Sequence, residues 1–385
     1  MKSSPSASQG KGRRILTNLI TLFAAVIVAL ILGEILLRVV PIPGVQFNTA
    51  RFSPEVGTAL TPNVSNTYRN ERGDYVVRRI NRFGYMDEDH SREKPPGVYR
   101  IGFFGDSYTE ARQVPLENTF FRLIEDDLGS DRVECLAFGI TGFSTLQSYL
   151  TCMGWMDEFD PDLVVYVFCE NDLGDLIKEI KRSPNVPYAV PTPTGFEIDY
   201  SFRKNNEHRD KLYFRAADYI TSHSLVISTI VDRVRLLAEY GIKMRVTEED
   251  RMMAGRTAEE VRAGGYPRTT DVPSTWPDTL RAYAENLGEA VLLKWRDEVE
   301  SSGRGFAVFY IPRNEQISGP ACEDSWKPWL RSLCAAEGIE FIDTGPYLFE
   351  AAREGKEIFY DHFTIDGHIA AADAFTAWYG AVSPD

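Results

Sequence analysis

Apolar residues along this chain fall into three kinds of run. The first is one long block near the N-terminus. Ile15 to Gly33 is 19 residues without a charge, and the apolar character continues past Glu34 and Arg38 to Val40, where Pro41 and Pro43 end it. That length is close to the roughly 20 residues a helix needs to cross a bilayer. The second kind is short and continuous: Ile101–Phe104, Val133–Phe138, Leu163–Cys169 and Phe306–Ile311, with a briefer Glu340–Asp343. Such runs predict strands buried on both faces. The third kind has helical spacing. Residues 117–128 place apolar side chains at 120, 121, 124 and 128 ahead of Gly129, and Leu146, Tyr149, Leu150 and Met153 follow Ser144-Thr145, which can cap a helix. Asp278–Val299, Trp326–Glu337 and Thr364–Gly380 read the same way. Strands and helices alternate from residue 100 to the end, which predicts a three-layer α/β/α domain around a mainly parallel sheet.

Other segments divide the chain. Residues 1–14 form a polar tail with Lys2, Lys11, Arg13 and Arg14 and no acid. Residues 15–40 read as a transmembrane anchor. No small-x-small cleavage site follows the apolar run, which favours an anchor over a removed signal peptide. The basic tail then stays in the cytoplasm and the rest of the chain faces outward, periplasmic or extracellular. Residues 41–98 are rich in Pro, Asn, Arg and Gly; Tyr75–Asn81 alternates like a strand, Arg82–Gly84 reads as a turn and Lys94–Gly97 as a linker. They read as a neck packing on the main domain, with a loose stalk as the other possibility. Residues 99–385 form the main domain. Within it, about 175–300 reads as a helical insertion: Pro184–Pro193 is loop-like, Ser222–Tyr240 is helical, and Met244–Val272 is polar. It sits after the third strand, where it could line or cover a site.

The formal charge is −14 overall, and the tail is basic, so the outward-facing part is more acidic still. That argues against nucleic acid as a partner. The five cysteines, Cys135, Cys152, Cys169, Cys322 and Cys334, have no CxxC or zinc spacing, and no metal or cofactor is implied. Cys135 and Cys169 lie inside apolar runs and read as small core residues.

Three strand ends carry polar or flexible groups: Gly105-Asp106-Ser107, Gly139 and Asn171-Asp172. In a parallel sheet these ends share one edge, where open α/β folds place their chemistry. A serine hydroxyl needs a base to become a nucleophile. The chain has five histidines, and two of them, His362 and His368, stand at the entry to the last helix, where a loop can reach the same edge. Each group also has a plain reading. Ser107 and Asn171 could cap helices, Gly139 could ease a turn, and His362 could be a surface residue.

Together these blocks resemble the SGNH hydrolases, the GDSL-type esterases and O-acyltransferases, over about 100–175 and 305–380. Gly105-Asp106-Ser107 matches the block with the nucleophile, Phe138-Gly139-Ile-Thr-Gly142 the second, Glu170-Asn171-Asp172 the third, and His362-Phe-Thr-x-x-Gly-His368 the last. The resemblance implies an SGNH-hydrolase, flavodoxin-like fold, Ser107 as nucleophile and His362 as base. It also implies an oxyanion hole from the backbone N–H groups of Ser107 and Gly139 and the Asn171 amide. The sequence departs from the family in three places. The acid usually two or three residues before the histidine is replaced by Tyr360 and Phe359, Ala137 stands where many relatives have Asn, and Ala111 where many have Gly. Asp361 is the candidate orienting acid. Asp366 in that role, an unassisted Ser-His dyad, and a working pair of Asp366 and His368 are the alternatives.

The implied function is an extracytoplasmic serine esterase or O-acyltransferase acting on ester-linked acyl groups. By resemblance to membrane-anchored relatives, the substrate could be a cell-surface polysaccharide. The competing reading is a non-catalytic scaffold of the same fold that binds glycan or a protein partner. The intact Ser, Gly, Asn and His favour the enzyme, and the missing spaced acid favours the scaffold.

Overall fold

The computed structural model describes residues 7–40, 42, 45–238, 271–318 and 324–382. The polar stretch expected at 244–272 lies almost wholly outside them, as do Pro41, Pro43 and Cys322. The chain opens with one long helix, α1 (Ala7–Val39), whose apolar window is not buried against the rest of the molecule. Two antiparallel hairpins follow, β1 (Ala50–Ser53) with β2 (Gly57–Leu60) and β3 (Ser65–Arg69) with β4 (Tyr75–Arg79). The main domain then runs β5 (Tyr99–Gly105), α2 (Ser107–Glu110), α3 (Phe120–Leu128), β6 (Val133–Gly139), α4 (Thr145–Phe159) and β7 (Leu163–Cys169). Next come α5 (Asp172–Leu176), α6 (Lys178–Lys181), the hairpin β8 (Tyr188–Thr192) and β9 (Gly195–Asp199), and α7 (Phe202–Asn206). Two helices, α8 (Leu212–His223) and α9 (225–238), close the first part. The second part is α10 (Asp278–Ser301), β10 (Gly305–Ile311), α11 (Asn314–Ser318), α12 (Lys327–Glu337), β11 (Glu340–Asp343), α13 (Gly345–Arg353) and α14 (Ile365–Val382).

Five strands form one sheet in the order β11-β10-β7-β5-β6, and every pair is parallel. The apolar runs are continuous because each face of the sheet is covered. Phe104, Phe138, Tyr166 and Tyr310 point to the side where α4, α10 and α12 pack; Phe103, Ala137, Val167 and Phe309 point to the side of α3, α13 and α14. The strand order reverses between β5 and β7, so the crevice outside their carboxyl ends is where this topology places a ligand.

Two differences from the expected elements have local causes. The segment read as a loop at 184–193 carries β8, because Pro191 lies in an isolated two-stranded ribbon where a lost N–H is tolerated. The helix read through 222–240 is broken at Ser224, whose backbone is extended (φ −124, ψ 115). The insertion is therefore a mixture of hairpin and helices, and among the described residues it lines none of the cavity described below.

The segment before the sheet is bonded into it. Arg78 of β4 is buried, and its guanidinium donates to the carbonyls of Val114 (3.0 Å), Ala111 and Met86. Farther on, Asp87 accepts from the backbone N–H of Ala137 at 2.9 Å and lies 3.1 Å from His90, whose other ring nitrogen is 2.8 Å from Glu134. Arg122 and Arg100 complete this buried ionic group. Burial of Asp87 would raise its pKa, but Arg122 and His90 override that and hold it at about 2.

Candidate active site

β5 ends at Gly105, and the chain turns at once into α2. The glycine is required by close packing: a Cβ there would come within 2.5 Å of Thr109 Oγ1 and 2.9 Å of Val167 Cβ. Asp106 caps the short helix by accepting the backbone N–H of Tyr108 at 3.0 Å through Oδ1. Its Oδ2 lies 3.2 Å from the Ser107 Oγ and accepts from the Cys169 thiol at 3.1 Å. Ser107 thus stands on the first residue of a tight helix, over the β5–β7 crevice. Ala111 ends α2 in the left-handed region, φ 48, and Arg78 grips its carbonyl.

His362 reaches the same point from the far end of the chain. Residues 358–364 form a tight loop, closed by Tyr360 N–H to His362 O (3.0 Å) and Thr364 N–H to Ile358 O (2.9 Å). Phe359 and Phe363 are buried on either side of it, so the loop is pinned and its imidazole is aimed. His362 Nε2 lies 3.0 Å from Ser107 Oγ. The Tyr108 ring supports the imidazole at 5.3 Å between centroids.

The other imidazole nitrogen, Nδ1, is 2.9 Å from Oε1 of Glu71. Glu71 sits at the tip of the β3–β4 hairpin, 291 residues away in sequence. The tip is fixed by Asn70, whose backbone N–H donates to Asp74 O at 2.9 Å and whose Oδ1 accepts Asp74 N–H at 2.8 Å. Beside Glu71, the Arg72 guanidinium lies 6.0 Å over the Tyr360 ring, docking the tip on the histidine loop. The candidate acid from the sequence, Asp361, stands elsewhere. Its Oδ2 is 3.7 Å from Nδ1, beyond hydrogen-bond distance, and its side chain is 80% exposed. The cause is the pinned loop: with residues 359 and 363 turned inward, Asp361 between them is turned out.

His368 is not part of this group. Its ring is buried between α14 and α3, accepts the Phe120 N–H at 3.2 Å through Nδ1 and stacks on the Phe120 ring. Burial, with help from Arg78 and His362, lowers its pKa to about 3, so it is neutral. The alternative pair of Asp366 and His368 therefore has no base at the serine.

The expected oxyanion donors separate. Asn171 lines the cavity; its Nδ2 donates to Asp175 at 3.0 Å and its Oδ1 lies 3.1 Å from the Cys169 Sγ. Lys181, 2.8 Å from Asp175, fixes that carboxylate in turn. One N–H of the amide is thus used to orient it, and the second remains for a ligand. Gly139 does not line the cavity. A Cβ there would meet Glu110 N and Thr109 Cβ at 2.5 Å, so the glycine allows β6 to approach α2.

The cavity over Ser107 measures about 310 Å³ and is open to solvent. Asn171, Arg313, Glu315, Tyr360 and Asp361 supply polar walls, with Ile311 and Pro312 the apolar part. Below it lies an acidic layer. Asp172 accepts from the Tyr166 hydroxyl at 2.7 Å, and burial together with the neighbouring Asp106 raises its pKa well above the usual range. Burial likewise pushes the Cys169 thiol up, so neither group supplies a further charge under the serine. Ligand atoms of Glu71, Asp361 and His362 lie within 4.8 Å of one another, as do those of Asp106, Cys169 and Asp172. A cation at the first set would compete with the Glu71–His362 hydrogen bond.

No known family profile matches the chain, and no curated protein does. Solved structures similar to it include a member of the lipolytic protein G-D-S-L family from Veillonella parvula, at 12% identity over 74% of this chain and 100% of that one, TM-score 0.39. Others are the acetyl xylan esterase AlAXEase, at 16% over 74% and 100%, TM-score 0.37, and a catalytic mutant of the acetylxylan esterase Axe2 from Geobacillus stearothermophilus, at 14% over 75% and 97%, TM-score 0.38.

Proposed function

We propose that this chain is a membrane-anchored serine esterase or O-acyltransferase of the SGNH type, with Ser107 as nucleophile, His362 as base and Glu71 as positioning residue. The observation that carries the reading is the continuous line Glu71–His362–Ser107, with 2.9 Å and 3.0 Å at its two links. His362 Nε2 takes the Ser107 proton as Oγ attacks the acyl carbonyl carbon. The Glu71 carboxylate holds Nδ1–H, fixes the tautomer and stabilises the imidazolium that forms. The carbonyl π electrons move to oxygen, and the Asn171 amide and the Ser107 N–H face that developing charge. Collapse expels the alcohol, which takes the proton from His362, and leaves an acyl group on Ser107. Water, or an acceptor hydroxyl in a transferase, reverses these steps.

The small, polar-walled cavity favours a short acyl group on a hydrophilic carrier, such as a polysaccharide ester, over a long lipid chain. The apolar run of α1 from Ile15 and the basic residues ahead of that run support anchoring with the catalytic domain outside the cytoplasm. The scaffold reading drew on a missing acid, and Glu71 occupies that role from another part of the chain.

The test is turnover of p-nitrophenyl acetate and labelling by a fluorophosphonate, in wild type and Ser107→Ala. Both signals are expected to vanish in the variant while its thermal melt stays in place. Undiminished hydrolysis by the folded variant would end the serine mechanism.

A further inference from the structure

The end of α1 is tied to the insertion. Glu34 accepts the backbone N–H groups of Leu225 (3.2 Å) and Val226 (3.1 Å) and the Ser224 hydroxyl (2.9 Å), so its carboxylate caps α9. Arg38, paired with Glu34 at 2.7 Å, donates to the carbonyl of His223, the last residue of α8, at 2.8 Å. A methyl of Val226 lies over Gly33, 3.2 Å from where a Cβ would be. The uncharged run from Ile15 to Gly33 spans about 28 Å as a helix, against about 30 Å for the hydrocarbon core. With that run in the bilayer, Glu34 sits at the outer hydrocarbon boundary. The junction of α8 and α9, held by Glu34 and Arg38, sits at that level too.

Both helices carry large apolar side chains that none of the described residues covers. On α9 the stripe that starts with Val226 against the anchor continues through Ile230, Val234 and Leu237, at 49%, 60% and 71% exposure. On α8, Leu212 with Tyr219 and Tyr213 with Ile220 recur two turns apart, and all four are exposed. A soluble surface does not collect such a stripe without a use. Tyrosines beside an apolar stripe suit the headgroup level. The charge also fits: Lys211, Arg215, Arg233 and Arg235 outnumber Asp218 and Asp232 here, in a chain that is otherwise strongly acidic.

We propose that α8 and α9 lie in the outer membrane–water interface beside the exit of the anchor, with their apolar stripes in the lipid. This rests on the anchoring reading above. The helices add a second lipid contact and limit how the domain can pivot about α1. The occupant is a lipid surface, because the stripe is continuous with a contact to the spanning helix.

The experiment uses the full chain reconstituted in vesicles of phosphatidylcholine and phosphatidylglycerol. Single cysteines are introduced by Ala25→Cys, Tyr213→Cys, Leu237→Cys and, on α10, Asp297→Cys, in a Cys322→Ser background because the other four thiols are buried. Each carries an environment-sensitive fluorophore, quenched by lipids with a nitroxide at a shallow or a deep acyl position. Positions 213 and 237 are expected to be quenched at least twofold more than 297 by the shallow label, and position 25 most by the deep label. Quenching at 25 with 213 and 237 matching 297 overturns the proposal and leaves the anchor standing. Fluorescence at 213 and 237 that is blue-shifted but unquenched means a second copy covers the stripe, and also overturns it. No quenching at 25 removes the anchoring reading and this proposal together.

Discussion

Glu71→Gln separates the assignment of the acid from every alternative. The substitution keeps the size of the side chain and removes its charge. At 2.9 Å, Glu71 Oε1 accepts the Nδ1 proton of His362, so the imidazolium formed in the transition state has its charge about 4 Å from that of the carboxylate. Two unit charges at that distance attract by about 4 kcal/mol at the effective dielectric of a protein surface and by about 1 kcal/mol in water. The Glu71 side chain is 29% exposed and that of His362 is 20% exposed, so the loss should lie between these limits. That corresponds to a fall in kcat of roughly 5- to 10³-fold, since each 1.36 kcal/mol is tenfold. A glutamine that turns its amide toward Nδ1 would also favour the wrong tautomer and push the loss to the upper end. KM should change little, because the carboxylate acts through the histidine. Glu71→Asp, with its carboxylate one methylene short, should recover part of the loss. Asp361→Asn, exposed and 3.7 Å from Nδ1, should stay within about threefold of wild type. The assay is steady-state hydrolysis of p-nitrophenyl acetate by the full-length protein in detergent, with thermal melts of each variant. An active Glu71→Gln together with an impaired Asp361→Asn would return the role to Asp361. Both variants active would mean a working dyad.

Two further outcomes are expected. Asn171→Ala should lower kcat about 10²-fold with KM nearly unchanged, as for a donor used mainly in the transition state; a large rise in KM at normal kcat would make Asn171 a binding residue instead. Two buried histidines should act on stability in opposite directions on either side of about pH 6.5. Burial alone would lower the His90 pKa, but Asp87 and Glu134 raise it to about 9, so the stability it contributes is complete below about 6.5 and is lost as pH rises through 9, on the order of 3 kcal/mol. His368 is depressed to about 3 by burial, so its contribution is complete above about 6.5 and drains away as pH falls toward 3. Urea denaturation between pH 4 and 9.5 checks this, and an alkaline slope that survives in His90→Asn would disprove the part given to His90.

The sequence alone determined the elements whose side chains face one environment along their whole length. The strands at 101, 133, 163 and 306 are continuous apolar runs because helices cover both faces, and a run of that kind has no other soluble use. Ser144, Gly129 and the spacing of residues 120–128 marked helix ends through local hydrogen bonds and periodicity. The groups at the ends of those strands were legible for the same reason, since alternation with helices puts the ends of parallel strands on one edge. Ser107 and Asn171 lie at those ends. The tertiary structure decided what depends on pieces far apart in sequence. Nothing local marks Glu71: it is one acid in a polar turn, and only the pairing of β3 with β4, the burial of Arg78 and the docking of the tip on Tyr360 carry it to His362. Asp361 was the natural candidate because sequence proximity suggests spatial proximity. Within a loop pinned by two buried phenylalanines, the residue next to the base is the one least able to turn toward it. Gly139 was ambiguous for a related reason. A glycine at a strand end serves a ligand or a neighbouring backbone equally well, and only the position of α2 against β6 shows that the backbone needs the space.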